Sequence, residues 1–288
     1  MPYARLPERS LLAVTGEAAH HFLQNLVTAD LDGLAEGEMR PCALLTPQGK
    51  ILFEFIIGKQ ADGLRIDVAA SAAADLKKRL TLYRLRTKVG IESPDLPVHA
   101  VWEEPDLTAA DLYADHRFPE GEMARLYGTP PEGLTEASAD DYRLRRIRAG
   151  IAEAETDYPG SDVFPHDVLF DQNGGVSFRK GCFVGQEVVS RMQHRGTARR
   201  RLMLLAGERH LTPGSNIEAG GKTIGTVLSA DGTEGFGFLR IDRLASALSR
   251  GEDLSADGVP VTATIPPWAG FALPEPAGAD GETAGSEA

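Results

Sequence analysis

The chain has 288 residues, 42% of them hydrophobic and 25% charged, with a formal net charge of −12. That length holds two or three compact domains with real cores, and the acid excess excludes a general nucleic-acid coat, which needs a basic face along the domain. Only two cysteines occur, Cys42 and Cys182, so a disulfide framework is excluded and a reducing cytoplasm is expected.

No apolar run with a small-residue cleavage site opens the sequence. No stretch approaches the ~18 apolar residues of a membrane span. The expectation is a soluble, cytoplasmic protein with no membrane partner.

Ser10 to Val14 reads as a strand, and Thr15-Gly16 turns into an amphipathic helix over Glu17 to Leu26 with Ala18, Phe22 and Leu26 apolar. His20 and His21 are adjacent and lack a third ligand at metal spacing. Asp30 is placed to cap a turn. From Arg40 the pattern switches to strands, RPCALLTP and KILFEFIIGK around a Pro-Gln-Gly turn, then GLRIDVAA. Cys42 alternates with apolar neighbours there and is expected in the core.

Ser71 opens a helix to about Arg84, Leu76 and Leu80 facing in and Lys77, Lys78 and Arg79 out. KVGIES and PVHAVWEE follow as strands. These groups predict an α+β sheet with helices on one face. Arg117, in DHRFPEGEMARLYG, is expected in a structural ion pair. Residues 130–139 are a polar linker, and Asp140 to Ala149 a helix capped by Gly150. The Pro- and Gly-rich stretch Asp157 to Gly175 forms a loop suited to one wall of a cleft, with His166 and Asp167 in it.

Phe178 to Arg201, FRKGCFVGQEVVSRMQHRGTARRR, concentrates the unusual chemistry. Seven cationic side chains are opposed there by Glu187 alone, on an otherwise acidic protein. GQEVVSRMQHR reads as a short helix with Val188, Val189 and Met192 inward, and Glu187 precedes Arg191 at ion-pair spacing. Cys182 sits beside Lys180 in a glycine-flanked turn opening a helix, where positive charge and free amides stabilise a thiolate. The other reading of the cysteine is a small buried hydrophobe. Beyond Arg201, the strands RLMLLAG, KTIGTVLSA, GFGFLRI and VTATI, spaced by Pro-Gly and Gly-Gly turns, predict a small antiparallel barrel.

KGCFVGQEVVSR resembles the K-G-C-[FY]-x-G-Q-E signature of YgfZ-type folate-binding proteins, relatives of the glycine-cleavage T-protein (aminomethyltransferase). HFLQNLVTADL, DHRFP and RIRAGIAEA extend the resemblance from about Leu11 to Ile265. It implies a T-protein-like α+β fold: a region over 1–195 made of two interleaved α+β subdomains, an antiparallel β-barrel over 196–270, and a disordered acidic tail over 271–288. It also implies tetrahydrofolate, or a one-carbon derivative, as cofactor, and iron–sulfur client or assembly proteins as partners.

Under that resemblance Cys182 is the functional thiol. Tyr142, Lys180, Gly185, Gln186, Glu187, Arg191 and Arg195 are the folate-binding candidates, with Tyr142 either stacking on the pterin or packing in the core. Two cysteines cannot supply a four-thiolate cluster site, so any cluster belongs to a partner or is shared with one.

The aminomethyltransferase reaction is not expected. The T-protein's Gly-Gly-x-x-Asp-Asp stretch aligns with Gly49 to Glu54, so Phe53 replaces one acid and strand alternation turns Glu54 to the other face. Its Leu-Glu-Ala-Gly acid is matched by Arg148. Three functions remain: a folate-binding accessory factor for iron–sulfur cluster assembly or repair, a folate-dependent one-carbon transferase with Cys182 as nucleophile, and a tRNA-modification factor using the Arg195–Arg201 island on RNA phosphates.

Overall fold

The computed structural model describes residues 1–103, 105, 112–119 and 122–276. The chain separates into two compact units, Met1–Gly196 and a second beginning at Thr197.

The first unit begins with β1 (Pro2–Arg5), β2 (Arg9–Thr15), α1 (Ala19–Gln24), β3 (Glu38–Leu45), β4 (Ile51–Gln60), β5 (Gly63–Ala69) and α2 (Ala70–Arg84). It continues with β6 (Gly90–Glu92), β7 (Val98–Trp102), β8 (Leu112–Asp115), β9 (Met123–Tyr127), β10 (Thr135–Glu136), α3 (Ala139–Ala149) and α4 (Gln186–Arg195). Among the described residues its strands form one sheet in the order β10-β1-β7-β9-β8-β3-β4-β5-β2-β6. The sheet has two strand groups, joined by a short parallel pairing of β3 with β8 at Glu38↔Ala114 and Met39↔Asp115. The chain interleaves them. β1 belongs with β7–β10, while β2–β6 form the other group.

Register decides which side chains share a face. In the β2–β6 group Leu12 stands opposite Ile66, Cys42 opposite Phe55, and Phe55 opposite Val68. These residues make the apolar core together with Ala19, Phe22 and Leu23 of α1 and Leu76 and Leu80 of α2. The intervening residues Arg9, Glu54 and Asp67 point to the opposite face by the two-residue alternation of a strand. Phe53 packs against the core and Glu54 does not.

Helix α1 is shorter than the Glu17–Leu26 span expected from its apolar spacing. Gly16, at φ +102°, holds the turn that accepts the Ala19 amide, so winding starts two residues late. Helix α3 begins with a capping box between Ser138 and Asp141 and ends at Gly150 in the left-handed region. The stretch expected to be only a polar linker contains β10, paired in parallel with β1; backbone pairing there owes nothing to side-chain polarity.

The second unit is a closed six-stranded barrel in the order β11-β14-β13-β12-β15-β16: β11 (Arg200–Gly207), β12 (Asn216–Ala219), β13 (Lys222–Asp231), β14 (Glu234–Arg240), β15 (Leu254–Ala256) and β16 (Val259–Thr264). The arrangement is thus the expected α+β one ending in an antiparallel barrel. Closure leaves no free sheet edge. A helix that strand periodicity had not separated, α5 (Ile241–Ser249), sits between β14 and β15 and buries Ile241, Leu244 and Ala247 in the barrel core. Of the tail expected from residue 271, Phe271 and Leu273 pack against that core; residues 277–288 lie outside the described residues.

Candidate functional site

The signature loop is held by two earlier segments of the first unit. The first is the β3–β4 turn, closed by Thr46 and Lys50 through a 2.8 Å backbone bond, with Gly49 at φ +80°. The second is Val27–Asp30. Thr28 donates from Oγ1 to Gly175 O at 2.6 Å and accepts from the Ala43 amide at 2.9 Å, while the Ser177 amide donates to Thr28 O. Asp30 accepts from Gln24 Nε2 and the Asp32 amide, the turn-capping role expected of it, and the Gln24 bond lowers its carboxyl below the ordinary value.

Ser177 Oγ then accepts from the amides of Arg179 and Lys180, folding the chain back. Lys180 reaches inward and donates from Nζ to Val27 O at 2.8 Å and Ala29 O at 2.7 Å. Burial pulls its ammonium below the ordinary lysine range, against the attraction of the Asp30 and Asp32 carboxylates. Lys180 is therefore spent on the loop's own scaffold rather than offered to a ligand.

Cys182 follows two residues later and is exposed. Phe183 is buried, with Lys180 Nζ 5.6 Å from its ring centre. Gly185 begins α4 in the left-handed region at φ +78°. A side chain there would place Cβ 2.5 Å from Thr46 O and 3.0 Å from Gly49 Cα, so the two turns meet as bare backbone. Val188 closes over Gly49, and Val189 is the buried residue of α4. The thiol is thus exposed on a loop braced on both sides.

The remaining predicted residues divide. Glu187 and Arg191 form the expected ion pair at 2.6 Å on the exposed surface, and Arg195 is exposed. Gln186 donates its amide to Phe183 O as α4 begins. His166 is buried, its Nε2 3.1 Å from Gln193 Oε1, and Asp167 accepts from the Phe164 amide within its own loop. Cys42 is sealed in the core, where burial pushes its thiol up to about 11.

Tyr142 lies elsewhere. It is 3% exposed in an ionic network drawn from both strand groups and α3. Its hydroxyl accepts from Arg125 Nη2 at 2.7 Å and donates to Glu153 Oε1 at 3.0 Å. Arg117 bridges Asp115 and Glu153, both at 2.7 Å, which is the structural pairing expected of Arg117. Arg9 pairs with Asp67 at 2.7 Å, and Arg146 with Asp157. Burial would raise the Glu153 carboxyl, but Arg117, Arg146, Arg9 and Arg125 outweigh it and hold it well below the usual range.

Glu54 goes the other way. Burial raises its carboxyl against Arg9 and Arg117. Its Oε2 accepts from the Ala154 amide, while Oε1 has no hydrogen-bond partner among the described residues. Sequence reasoning missed Arg9, Asp67, Arg125, Arg146, Glu153 and Asp157; each looks like an ordinary surface charge in its own segment.

Comparison with known proteins adds to this geometry. Residues 199–271 match the family described as "CAF17, C-terminal beta-barrel domain". The chain is 27% identical to the mitochondrial iron–sulfur cluster assembly factor IBA57 homolog of Pyricularia oryzae, over 92% of this chain and 84% of that protein. It is 29% identical to the mitochondrial iron–sulfur cluster assembly factor IBA57 of Homo sapiens, with the same coverages. Among solved structures, the glycine cleavage system aminomethyltransferase T from Bartonella henselae superposes with a TM-score of 0.70 at 14% identity, covering 93% of this chain and 86% of that one.

These relatives correct the cytoplasmic expectation, because the similar proteins are named mitochondrial. Scarce cysteine separates reducing from oxidising compartments and does not separate one reducing compartment from another. Among the described residues, no helix is long and apolar enough to cross a membrane. By fold the chain is T-protein-like with a CAF17-type C-terminal barrel, and along 92% of its length its likeness is to IBA57-type iron–sulfur cluster assembly factors.

Proposed function

We propose that the protein acts in the assembly of iron–sulfur clusters destined for other proteins, offering the Cys182 thiolate as one ligand to a cluster that a partner also holds. One observation carries this reading: the chain presents a single exposed thiol, on a braced loop, while its other cysteine is sealed in the core. One thiolate cannot enclose a cluster, so the remaining iron ligands come from the partner. In the exchange the Cys182 thiol gives its proton to solvent, a sulfur–iron bond forms, and the iron's bond to an outgoing thiolate or water breaks. Oxidation states do not change. The likeness to IBA57-type factors supports the same direction.

Tetrahydrofolate is implied by the resemblance to YgfZ-type proteins, but Tyr142, assigned to its pterin, and Lys180, assigned to its anionic part, do not fit it. The Tyr142 ring is enclosed and its hydroxyl engaged, and the Lys180 ammonium is taken by two carbonyls. No step is routed through folate.

The test is complementation of a bacterial strain lacking its own protein of this kind, read as the activity of an iron–sulfur dehydratase. Cys182→Ser should keep the wild-type melting curve and lose rescue. Full rescue by Cys182→Ser removes the thiol from the function.

A further inference from the structure

Helix α2 turns Leu76 and Leu80 into the core and leaves its other face in water. On that face Asp75, Lys78, Arg79 and Leu82 follow at three- and four-residue spacing. With Leu52 and Phe53 of β4 they line a groove of about 380 Å³. Leu82 is 61% exposed and Leu85, one turn on, 87%. Leu85 ends the helix at φ +46° and ψ −107°, where a side chain strains the backbone. Strain of this kind is rarely kept merely to hold an aliphatic chain in water.

Asp75 is the one acid of the groove, and beyond it the charge is one-sided. Residues 77–88 contain Lys77, Lys78, Arg79, Arg84, Arg86 and Lys88 and no acidic residue, in a chain of net charge −12. Lys78, Arg79 and Arg86 are exposed and form no hydrogen bond or ion pair among the described residues. Uncommitted cations beside an apolar-floored groove and two exposed leucines point to an occupant with both carboxylates and aliphatic side chains.

We propose that this face docks an acidic amphipathic helix of a partner protein, its aliphatic side chains seated against Leu52, Phe53 and Leu82 and its carboxylates on Lys78, Arg79 and Arg86. RNA phosphates have no use for the leucines. A lipid surface asks for a broad apolar face, and the apolar face of α2 is already buried in the core. The surface shares no residue with the Cys182 loop and stands independently of the cluster reading.

The test is fluorescence anisotropy on the full chain. The probe is a labelled helical peptide of about four turns, glutamate-rich, with leucines at i, i+3 and i+7. Comparison probes are polyglutamate, an oligouridylate RNA and phosphatidylglycerol vesicles. The peptide should bind, and the Lys78→Glu/Arg79→Glu and Leu82→Ser/Leu85→Ser variants should each weaken it by roughly tenfold or more. All four positions are exposed, so both variants should keep the wild-type melting curve. The proposal is overturned if the peptide does not bind, if either variant binds it as wild type does, or if polyglutamate, the RNA or the vesicles match it.

Discussion

Lys180 Nζ donates to the carbonyl oxygen of Ala29 at 2.7 Å, and so the signature's own lysine fastens the loop that carries Cys182. Lys180→Met keeps the aliphatic stem and removes the donors, leaving the Val27 and Ala29 carbonyls without this partner. The expected cost is about 1–3 kcal/mol, measured by urea denaturation. Wild-type stability in that variant would show the ammonium to be free for a ligand.

Gly185 is required by contact as well as by φ. Gly185→Ala drives Cβ toward Thr46 O and imposes left-handed backbone on a side chain. A loss of about 1–3 kcal/mol is expected. Gly181, with nothing near its missing Cβ, should accept alanine with a far smaller change.

The thiols should separate cleanly by reactivity. Iodoacetamide at pH 8 should modify Cys182 in the native protein and spare Cys42, whose thiol burial pushes up to about 11. Denaturation should release Cys42. Peptide mass mapping reads the outcome, and native labelling of Cys42 would contradict its burial.

Two buried glutamates should respond to pH with opposite sign. Glu153 is held below its ordinary 4.5, so the stability it contributes is complete above that value and lost as pH falls through its folded value. Glu54 is raised above 4.5, so its ionisation becomes a growing penalty as pH rises past that value. Glu153→Gln should cost about 3–5 kcal/mol at pH 7, because it leaves guanidinium groups uncompensated. Glu54→Gln should stabilise at pH 8, with the gain shrinking toward pH 4.5. Thermal melts across that range decide both.

Tyr142 separates packing from ligand holding. Tyr142→Phe removes a hydroxyl that bonds Arg125 and Glu153, at an expected cost of about 1–3 kcal/mol. Calorimetric titration with tetrahydrofolate should give the same result for this variant and wild type. A selective loss of folate heat would return the tyrosine to a binding role.

What the sequence shows of this protein follows from the range of the forces involved. Strand alternation separates Phe53 from Glu54, and Gly150 announces the end of α3, because both signals are local. The barrel strands are readable from spacing and turns, while α5 hides among them as one more apolar run. The ionic network is not readable: Arg9 meets Asp67 across 58 positions and Arg117 meets Glu153 across 36. Lys180 is harder still, since its partners are backbone carbonyls that no residue type marks. The exposure of Cys182 likewise depends on the brace formed by Gly49 and Gly185, which only the folded chain brings together.

The interleaved strand order has a consequence during synthesis. β1 precedes the β2–β6 group in the chain, yet its sheet neighbours are β7 and β10. At ~5–20 residues per second on the ribosome, it waits on the order of 5–20 s for β7. The β2–β6 group needs nothing downstream to complete its own pairings and can close during that interval. The nascent chain therefore carries β1 unpaired beside an already formed module, and truncations ending before β7 should yield that module with β1 protease-sensitive.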